Sequence, residues 1–197
     1  MSVVVAIKEK GKIIMGCDSQ VTRGESYNTL KSINNYKIWK VKNTDHCLMG
    51  HTGRVRNSNI VRLMDELIKE GETIDFELVV KSVVPRIVEE LLTYRSIEDK
   101  ERIEDIGSSF ILAYKDKLFL IYYDCSVIEI DDYIAVGSGE CEAMGVLNIT
   151  EGENPKTRII KAIQSASKGN LYVSYPIIIS DTKNMEYEII EEGGDRK

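Results

Sequence analysis

The chain has 197 residues, of which 43% are hydrophobic and 29% charged, and its formal net charge at pH 7 is −6. The acidic balance argues against a nucleic-acid partner, and no apolar run is long enough for a membrane span. The start of the chain lacks the basic-then-hydrophobic pattern of a secretion signal. This size and composition predict one globular domain over residues 1–190, followed by a polar tail at 191–197.

The cysteines and histidines point to neither disulfides nor a metal. Four cysteines are scattered without short pairing, and we interpret them as reduced thiols of a cytoplasmic protein. His46 and His51 have no ligand partners at helical spacing, so we interpret both as structural or incidental. We therefore predict no cofactor and no metal site.

The first part of the chain has the pattern of two strand pairs. Ser2–Lys8 and Lys12–Asp18 are β-rich runs that predict a hairpin. Tyr36–Lys42 and His46–Gly50 predict a second pair, and residues 24–35 between the pairs predict an enlarged loop.

Helical periodicity follows. Apolar residues recur at intervals of three and four from Ile60 to Ile68, which predicts a helix that ends at Gly71. A second helix is predicted from Phe76 to Leu92, with a kink at Pro85. The charged segment 98–105 has no apolar periodicity and predicts a solvated connection.

The second half repeats this order of strands and helices. Strands are predicted at 109–114, 117–123, 127–130, 133–136, 175–180 and 187–190, and helices at 140–147 and 155–167. Blocks of strands that alternate with pairs of helices favour antiparallel sheets packed between helical layers, an α+β architecture, over a βαβ repeat.

The residue after the initiator methionine has the clearest chemical potential. Ser2 stands directly before an apolar strand, and its small side chain permits enzymatic removal of Met1. Removal would leave an α-amine, with a pKa of roughly 7.7–8.0, beside a hydroxyl on the same residue. Such an amine can accept the hydroxyl proton without help from a histidine. Most serines at this position have no such role, so other features must support it.

Four further features accompany Ser2. Asp18 ends the second strand, Lys37 stands at the entry of a strand, Gly50 precedes the first helix, and Ser138 lies between two glycines at a strand-to-helix corner. Each feature also has a simpler explanation. Asp18 could cap a turn, Lys37 could be a solvated lysine, Gly50 could serve the turn into a helix, and Ser138 could be a helix N-cap. Their order on successive strand ends favours one shared site.

This arrangement resembles the proteasome β-subunit family, most closely its bacterial HslV-type peptidase branch, from Ser2 to about Asp181. The resemblance implies the N-terminal-nucleophile hydrolase fold, a four-layer αββα sandwich of two antiparallel sheets between helical layers. It also implies an endopeptidase that cuts unfolded polypeptide inside a self-compartmentalising homo-oligomeric ring. An ATP-dependent unfoldase is the expected partner, and neither nucleic acid nor a membrane is expected.

The resemblance also assigns roles to residues. The nucleophile falls on Ser2, the strand-end acid on Asp18, the lysine beside the nucleophile on Lys37, the oxyanion glycine on Gly50, and the corner serine on Ser138. The Lys37 cation would favour the neutral α-amine, and Asp18 would hold Lys37 in place. The N–H of Gly50 would stabilise the oxyanion, and Ser138 would position the amine or a water.

The chain departs from the family pattern in three places, one of which is a slightly longer segment from Asp18 to Lys37 that contains the enlarged loop at 24–35. The nucleophile is serine instead of the usual threonine, so its hydroxyl lacks the methyl group that limits rotation. Asn170 stands where the family has an aspartate, and it can orient groups but carries no negative charge. Ser174 matches the family serine that follows only with a slip of one residue.

Two other functions stay open at this stage. A non-catalytic assembly subunit of the same fold would result if Met1 were retained, because the α-amine would then be acylated. An N-terminal-nucleophile amidase or transpeptidase would use the same residue on a narrower substrate, since a fold does not fix a function.

Overall fold

Two five-stranded antiparallel sheets form the centre of the protein, as seen in a computed structural model that describes residues 2–97 and 105–193. The strands in chain order are β1 (Val3–Glu9), β2 (Lys12–Cys17), β3 (Gln20–Arg23), β4 (Ser26–Thr29), β5 (Ile38–Lys40), β6 (Cys47–Gly53), β7 (Ser108–Tyr114), β8 (Lys117–Ile121), β9 (Val127–Glu129), β10 (Tyr133–Gly137), β11 (Ile177–Asp181) and β12 (Glu188–Ile190). One sheet has the order β10-β1-β2-β11-β12 and the other β5-β6-β7-β8-β9, while β3 and β4 pair with each other. The predictions for Met1, for 98–104 and for 194–197 lie outside the described residues.

Helices lie on the outer faces of both sheets. They are α1 (Val55–Leu63), the short α2 (Phe76–Leu78), α3 (Val84–Thr93), α4 (Glu140–Ile149) and α5 (Pro155–Gly169). A π-helical segment, Val79–Val83, joins α2 to α3, and a 3-10 turn covers Ile33–Asn35. None of the helices in the described ranges is long and apolar enough to cross a bilayer.

Three apolar clusters separate the four layers. One cluster packs α4 and α5 against the β1 sheet, and a second packs α1 and α3 against the β6 sheet. A third cluster, which includes Val4, Met15 and Ile111, fills the space between the sheets. The predicted αββα sandwich is therefore confirmed.

The register of β1 determines what surrounds Ser2. Val3 is opposite Gly137 on β10, and Val4 is opposite Cys17 on β2. Side chains alternate along the strand, so Val3 faces the helices while Val4 faces the second sheet. This pairing places the 137–139 corner on one side of Ser2 and the end of β2 on the other.

The helix predicted to end at Gly71 is wrong in its extent. α1 spans Val55–Leu63, yet Leu67 and Ile68 are buried without being helical. The carbonyl of Leu67 accepts a hydrogen bond from the Arg86 guanidinium. The apolar spacing at 60–68 therefore indicated which side chains are buried and not how far the helix extends. At Leu67 the Arg86 side chain donates the hydrogen bond that a backbone N–H would donate in a helix.

Pro85 does not act as a simple kink within a helix. It lies in the first turn of α3, and the π-helical segment ends immediately before that helix. The N–H of Val84 donates to the carbonyl of Val79, five residues back, so the chain changes its hydrogen-bond spacing where proline lacks a donor.

The loop predicted at 24–35 is more ordered than expected, because it contains β4 and the 3-10 turn. The strand predicted at 36–42 is shorter, Ile38–Lys40, and the strand predicted at 46–50 extends to Gly53. The extension proves important for the site.

Candidate active site

The backbone of Ser2 is held by the corner that follows β10. Its N–H donates to Ser138 Oγ at 3.0 Å, and its carbonyl accepts from Ser138 Oγ at 3.3 Å and from the N–H of Gly139 at 3.2 Å. Gly137 has a φ of +108°, and a Cβ there would lie 2.3 Å from the Ser2 carbonyl oxygen. The glycine-serine-glycine corner therefore makes room for Ser2 and fixes its position.

Asp18 accepts hydrogen bonds from four parts of the chain. Its Oδ1 accepts from the N–H of Val3 at 2.9 Å and from Lys37 Nζ at 2.6 Å. Its Oδ2 accepts from the N–H of Gln20 at 3.0 Å and from that of Ser174 at 3.4 Å. The carboxylate is fully buried and joins β1, the start of β3, the residue before β5 and the segment after α5.

Lys37 and Asp18 form a buried ion pair, with side chains 6% and 0% exposed. A buried charge is costly unless it is paired and hydrogen-bonded, and here the carboxylate is both. The pair lies beside the start of β1, so a fixed ammonium group stands next to Ser2. A stable core does not require a buried ion pair, which makes a functional reason plausible.

A cavity of about 200 Å³ opens beside Ser2. Ser2, Lys37, His51 and Gly53 contribute to its lining. Among the described lining residues, Lys37 is the one that is charged at neutral pH. His51 is neutral there because its pKa is lowered, and the other lining residues carry no ionisable side chain. Ser2 and the Lys37 side chain thus line one concave space.

The oxyanion role predicted for Gly50 does not fit its placement. Gly50 is buried between the sheets, where a Cβ would meet Val4 Cγ1 at 2.8 Å and Met15 Sδ at 2.9 Å. Successive N–H groups of a strand point to opposite neighbours, and the N–H of His51 donates to the carbonyl of Lys37 on the β5 side. The N–H of Gly50 therefore points the other way, toward β7.

Gly53, three residues further along β6, lines the cavity beside Ser2. By the same alternation its N–H faces the side of β5, beyond the end of that strand, where the cavity lies. Its φ is +117°, and a Cβ would lie 2.4 Å from the Gly107 carbonyl oxygen. Gly53 was missed from the sequence because the strand was predicted to end at Gly50, whereas β6 continues for three more residues, almost to the start of α1.

Asn170 supports the corner. It follows α5 directly, and its Nδ2 donates to the Ser138 carbonyl at 2.6 Å while its Oδ1 accepts from the N–H of Tyr172 at 3.0 Å. An aspartate could not donate to that carbonyl. The amide therefore suits this chain as a support for Ser138, a different role from that of a charged group.

From the sequence, His51 was interpreted as structural or incidental; in the structure it lines the cavity. It is 4% exposed, and burial, with the Lys37 cation adding to the effect, lowers its pKa to about 3. Its Nε2 lies 3.1 Å from Ser108 Oγ, and its ring packs on Phe110. Only the pairing of β6 with the chain at Lys37, where the N–H of His51 donates to the Lys37 carbonyl, could have indicated this location.

The sequence also gave no indication of the role of Arg62. From α1 it donates to the carbonyls of Ile33, Asn34 and Tyr36, and its guanidinium stacks over the Trp39 ring at 4.8 Å. These carbonyls belong to the 3-10 turn and the residue before Lys37. Arg62 thus anchors the segment that leads into the lysine.

The thiols do not offer an alternative nucleophile in this region. Cys17 adjoins Asp18, and burial raises the pKa of its thiol to about 12. A thiol in this state is not a nucleophile at neutral pH. Within residues 2–97 and 105–193, no three His, Cys, Asp or Glu side chains cluster in a way that could hold a metal ion.

The comparisons with known proteins agree with this geometry. A family model described as proteasome subunit matches residues 2–168. The chain belongs to the proteasome subunit family. A search of curated proteins returned no match.

Solved structures of proteasome-type proteins share the fold. BPH from Thiobacillus denitrificans in complex with epoxomicin has a TM-score of 0.75 at 17% identity, covering 91% of this chain and 97% of that one. Anbu, an ancestral β-subunit from Yersinia bercovieri, has a TM-score of 0.73 at 14% identity, covering 98% and 88%. HslV from Trypanosoma brucei has a TM-score of 0.67 at 15% identity, covering 91% and 98%. The fold of this proteasome-family chain is thus that of an N-terminal-nucleophile hydrolase subunit.

Proposed function

We propose that this proteasome-family chain is a peptidase subunit that uses Ser2 as its N-terminal nucleophile after removal of Met1. The observation that carries the proposal is the buried Lys37–Asp18 ion pair, whose lysine lines the cavity of Ser2. Asp18 also binds the N–H of Val3, so one carboxylate fixes both the strand that bears the nucleophile and the ammonium beside it.

Each half of the reaction uses the α-amine first as a base and then as an acid. Ser2 Oγ attacks the peptide carbonyl carbon and its proton passes to the α-amine of the same residue. The C–N bond then breaks, and the leaving amine takes that proton, which leaves an ester on Ser2. Water attacks the ester and gives a proton to the α-amine; the ester C–O bond then breaks, the amine returns this proton to Ser2 Oγ, and the carboxylic acid departs. The Lys37 cation favours the neutral form of the amine, and Ser138 Oγ, 3.0 Å from the Ser2 nitrogen, orients it.

The developing oxyanion needs a fixed donor. We assign this role to the N–H of Gly53 in place of Gly50, since Gly53 lines the cavity with Ser2. The N–H of Arg54 that follows donates to Ser108 Oγ at 3.2 Å, which holds the end of the strand.

Assembly into a homo-oligomeric ring is part of the proposal. Family membership supports it. Unfolded polypeptide is the proposed substrate, and an ATP-dependent unfoldase stays a prediction from the resemblance. The free thiols of all four cysteines favour the cytoplasm as the location.

Turnover of peptides and of an unfolded protein tests the proposal. The mature protein is expected to hydrolyse both, and Ser2→Ala is expected to reduce turnover by roughly a thousandfold or more, as for loss of other catalytic nucleophiles. Ser26→Ala, on the exposed β4 strand, is the matched control and should leave turnover unchanged.

Other outcomes reject the proposal in distinct ways. Met1 on all molecules isolated from the native cell, together with no turnover, would establish an assembly subunit. Cleavage of one small amide without cleavage of polypeptide would establish an amidase. Equal turnover by the wild type and Ser2→Ala would remove Ser2 from the reaction.

A further inference from the structure

The guanidinium of Arg62 binds the chain immediately before Lys37. From the last turn of α1 it donates to the carbonyls of Ile33, Asn34 and Tyr36. Because the Tyr36 carbonyl belongs to the peptide bond that leads into Lys37, the guanidinium holds the backbone directly next to the lysine. A guanidinium suits this task, since its donors point in fixed directions within one plane.

The segment before Lys37 is exposed until it reaches Tyr36. Residues 31–35 are all exposed, and burial begins at Tyr36. The Tyr36 ring packs edge-on against Tyr187 at 5.6 Å, which holds the side chain and leaves the carbonyl to Arg62. β5 begins only after Lys37 and is an edge strand of its sheet. The backbone of Lys37 therefore depends on contacts made from outside the strand.

The guanidinium of Arg62 lies where a cation is costly. Its carbon is 4.8 Å from the centre of the Trp39 ring, which is buried, and its Nε is buried without a hydrogen bond among the described residues. The partners printed by the geometry are neutral carbonyls, and burial lowers the pKa of Arg62. An apolar side chain packed on Trp39 would avoid this cost, so stability alone does not account for an arginine here.

The end of α1 also binds the chain that follows β5. Lys42 Nζ donates to the Leu63 carbonyl and to Asp65 Oδ1, both at 2.9 Å, and Asn43 Nδ2 donates to the Asp65 carbonyl at 3.0 Å. The end of α1 therefore holds β5 at its entry and at its exit. The Tyr36 contact at the entry is partly buried and the contacts at the exit are exposed, so the entry is expected to be held more firmly.

The position of Lys37 matters because its ammonium belongs to an ion pair. Asp18 binds both Lys37 and the N–H of Val3, and His51 in the cavity wall is neutral. The effect of an ion pair on a third group depends on which member lies nearer, since the Coulomb energy falls with distance. An ammonium close to the Ser2 amine favours the neutral amine, whereas a displaced ammonium would leave the carboxylate to favour the protonated form.

We propose that Arg62 is a positioning residue for the reaction, which holds Lys37 through the carbonyls before it so that the ammonium stands where it keeps the Ser2 amine neutral. The inference rests on the proposed function for the role of that amine. Without Arg62 the ammonium keeps its bond to Asp18 but gains freedom at the backbone. Because Arg62 acts through Lys37, its removal should matter only while the Lys37–Asp18 pair is present.

Titration of the Ser2 amine tests this inference without any turnover. Protein that starts at Ser2 is labelled with acetic anhydride from pH 5 to pH 10, and mass spectrometry of the N-terminal peptide gives the midpoint of the titration. Arg62→Met keeps an apolar stem over Trp39 and loses the donors, so it should raise the midpoint by roughly 0.5–1 pH unit, part of the effect of a nearby charge. Arg62→Lys, which keeps the charge on a single point donor, should raise it by less.

Arg56 provides the matched control. It lies on the same helix and donates to the Tyr94 carbonyl at 2.7 Å, outside the segment that leads into Lys37. Arg56→Met should leave the midpoint unchanged, and urea unfolding shows that each variant is folded. An unchanged midpoint in both Arg62→Met and Arg62→Lys, or an equal rise in Arg56→Met, overturns the inference.

A double-mutant cycle tests whether Arg62 acts through the pair. In the background of Asp18→Asn with Lys37→Met, which removes both charges, adding Arg62→Met should not change the midpoint further. A shift of the same size in this background would mean that Arg62 acts on the amine by its own charge, and it overturns the inference.

Turnover separates the inference from the proposed function. In Arg62→Met the loss of kcat/KM should be roughly threefold to tenfold below the midpoint, the ratio that such a shift produces, and should shrink as the pH rises. A loss that is equal at every pH would indicate a merely structural role and contradicts the inference. A shifted midpoint in protein without peptidase activity rejects the proposed function and leaves the link between Arg62 and the amine in place.

Discussion

Lys37 Nζ lies 2.6 Å from Asp18 Oδ1, and the same carboxylate oxygen accepts the N–H of Val3 at 2.9 Å. The distance between the lysine and the first strand is therefore set by one atom. Because both side chains are buried, neither can move without leaving a charge unpaired.

Loss of the lysine should affect both stability and turnover. Lys37→Met leaves the Asp18 carboxylate buried without its cation, so we expect the free energy of unfolding to fall by about 3–5 kcal/mol. The double variant Asp18→Asn with Lys37→Met should recover most of that stability and none of the turnover. Urea unfolding and peptide hydrolysis measure the two effects.

An exposed pair of the same length is the control for this prediction. Lys161 Nζ is 2.6 Å from Glu153 Oε2, but these side chains are 46% and 41% exposed. Lys161→Met should change the free energy of unfolding by at most about 1 kcal/mol. Similar losses in Lys37→Met and Lys161→Met would contradict the account of the buried pair.

The amide of Asn170 should be needed as a donor. Asn170→Asp would place an oxygen against the Ser138 carbonyl, now 2.6 Å from Nδ2, and we expect turnover to fall by roughly tenfold to a hundredfold. The same substitution at the other end of α5 is the control. Asn154 accepts from the N–H of Thr157 as an N-cap, a role that aspartate fills equally well. Equal turnover in Asn170→Asp and the wild type would show that the support of Ser138 is dispensable.

Stability should depend on pH through His51. Its pKa is about 3 in the folded protein and about 6.5 in the unfolded chain, so the unfolded state binds a proton first as pH falls. Neutral His51 contributes fully to the free energy of unfolding above pH 6.5. This contribution is lost as the pH falls from 6.5 to 3, at up to about 1.4 kcal/mol per pH unit. His51→Gln should therefore have a flatter dependence of unfolding free energy on pH in this window. Parallel curves for the two proteins would mean that His51 is not buried in neutral form.

The corner glycine should be sensitive for a steric reason. In Gly137→Ala the new Cβ would lie 2.3 Å from the Ser2 carbonyl oxygen, so Ser2 must shift and turnover should be lost. Gly152 has a φ of +86° with nothing within 4 Å of a Cβ, so Gly152→Ala should cost only backbone strain of about 1–2 kcal/mol. Turnover retained in Gly137→Ala would show that the corner does not position the nucleophile.

The sequence allowed the layers of the fold to be predicted because strand and helix periodicities occur in separate blocks. It brought Ser2, Asp18, Lys37 and Ser138 toward one place because each lies at a strand end. It could not resolve Gly50 from Gly53, since both are glycines shortly before α1 and only the register with β5 separates them.

Other features depend on contacts between distant residues. Nothing near His51 in the sequence indicates that its Nε2 lies 3.1 Å from Ser108 Oγ. Likewise, the helix predicted to reach Gly71 ends at Leu63, and the Leu67 carbonyl accepts from Arg86, which is distant in sequence. Local sequence patterns predict which residues are buried. The hydrogen bonds of those residues depend on partners that only the tertiary structure brings near.

Covalent labelling tests the central claim most directly. An epoxyketone has two electrophilic carbons, so the amine and hydroxyl of one residue can both react with it, and a structurally similar protein has been crystallised with epoxomicin. Protein from its native cell should carry one epoxomicin per chain on a peptide that begins at Ser2, and Ser2→Ala should carry none. An N-terminal peptide that keeps Met1 and no adduct, or an adduct of equal yield on Ser2→Ala, would contradict the account.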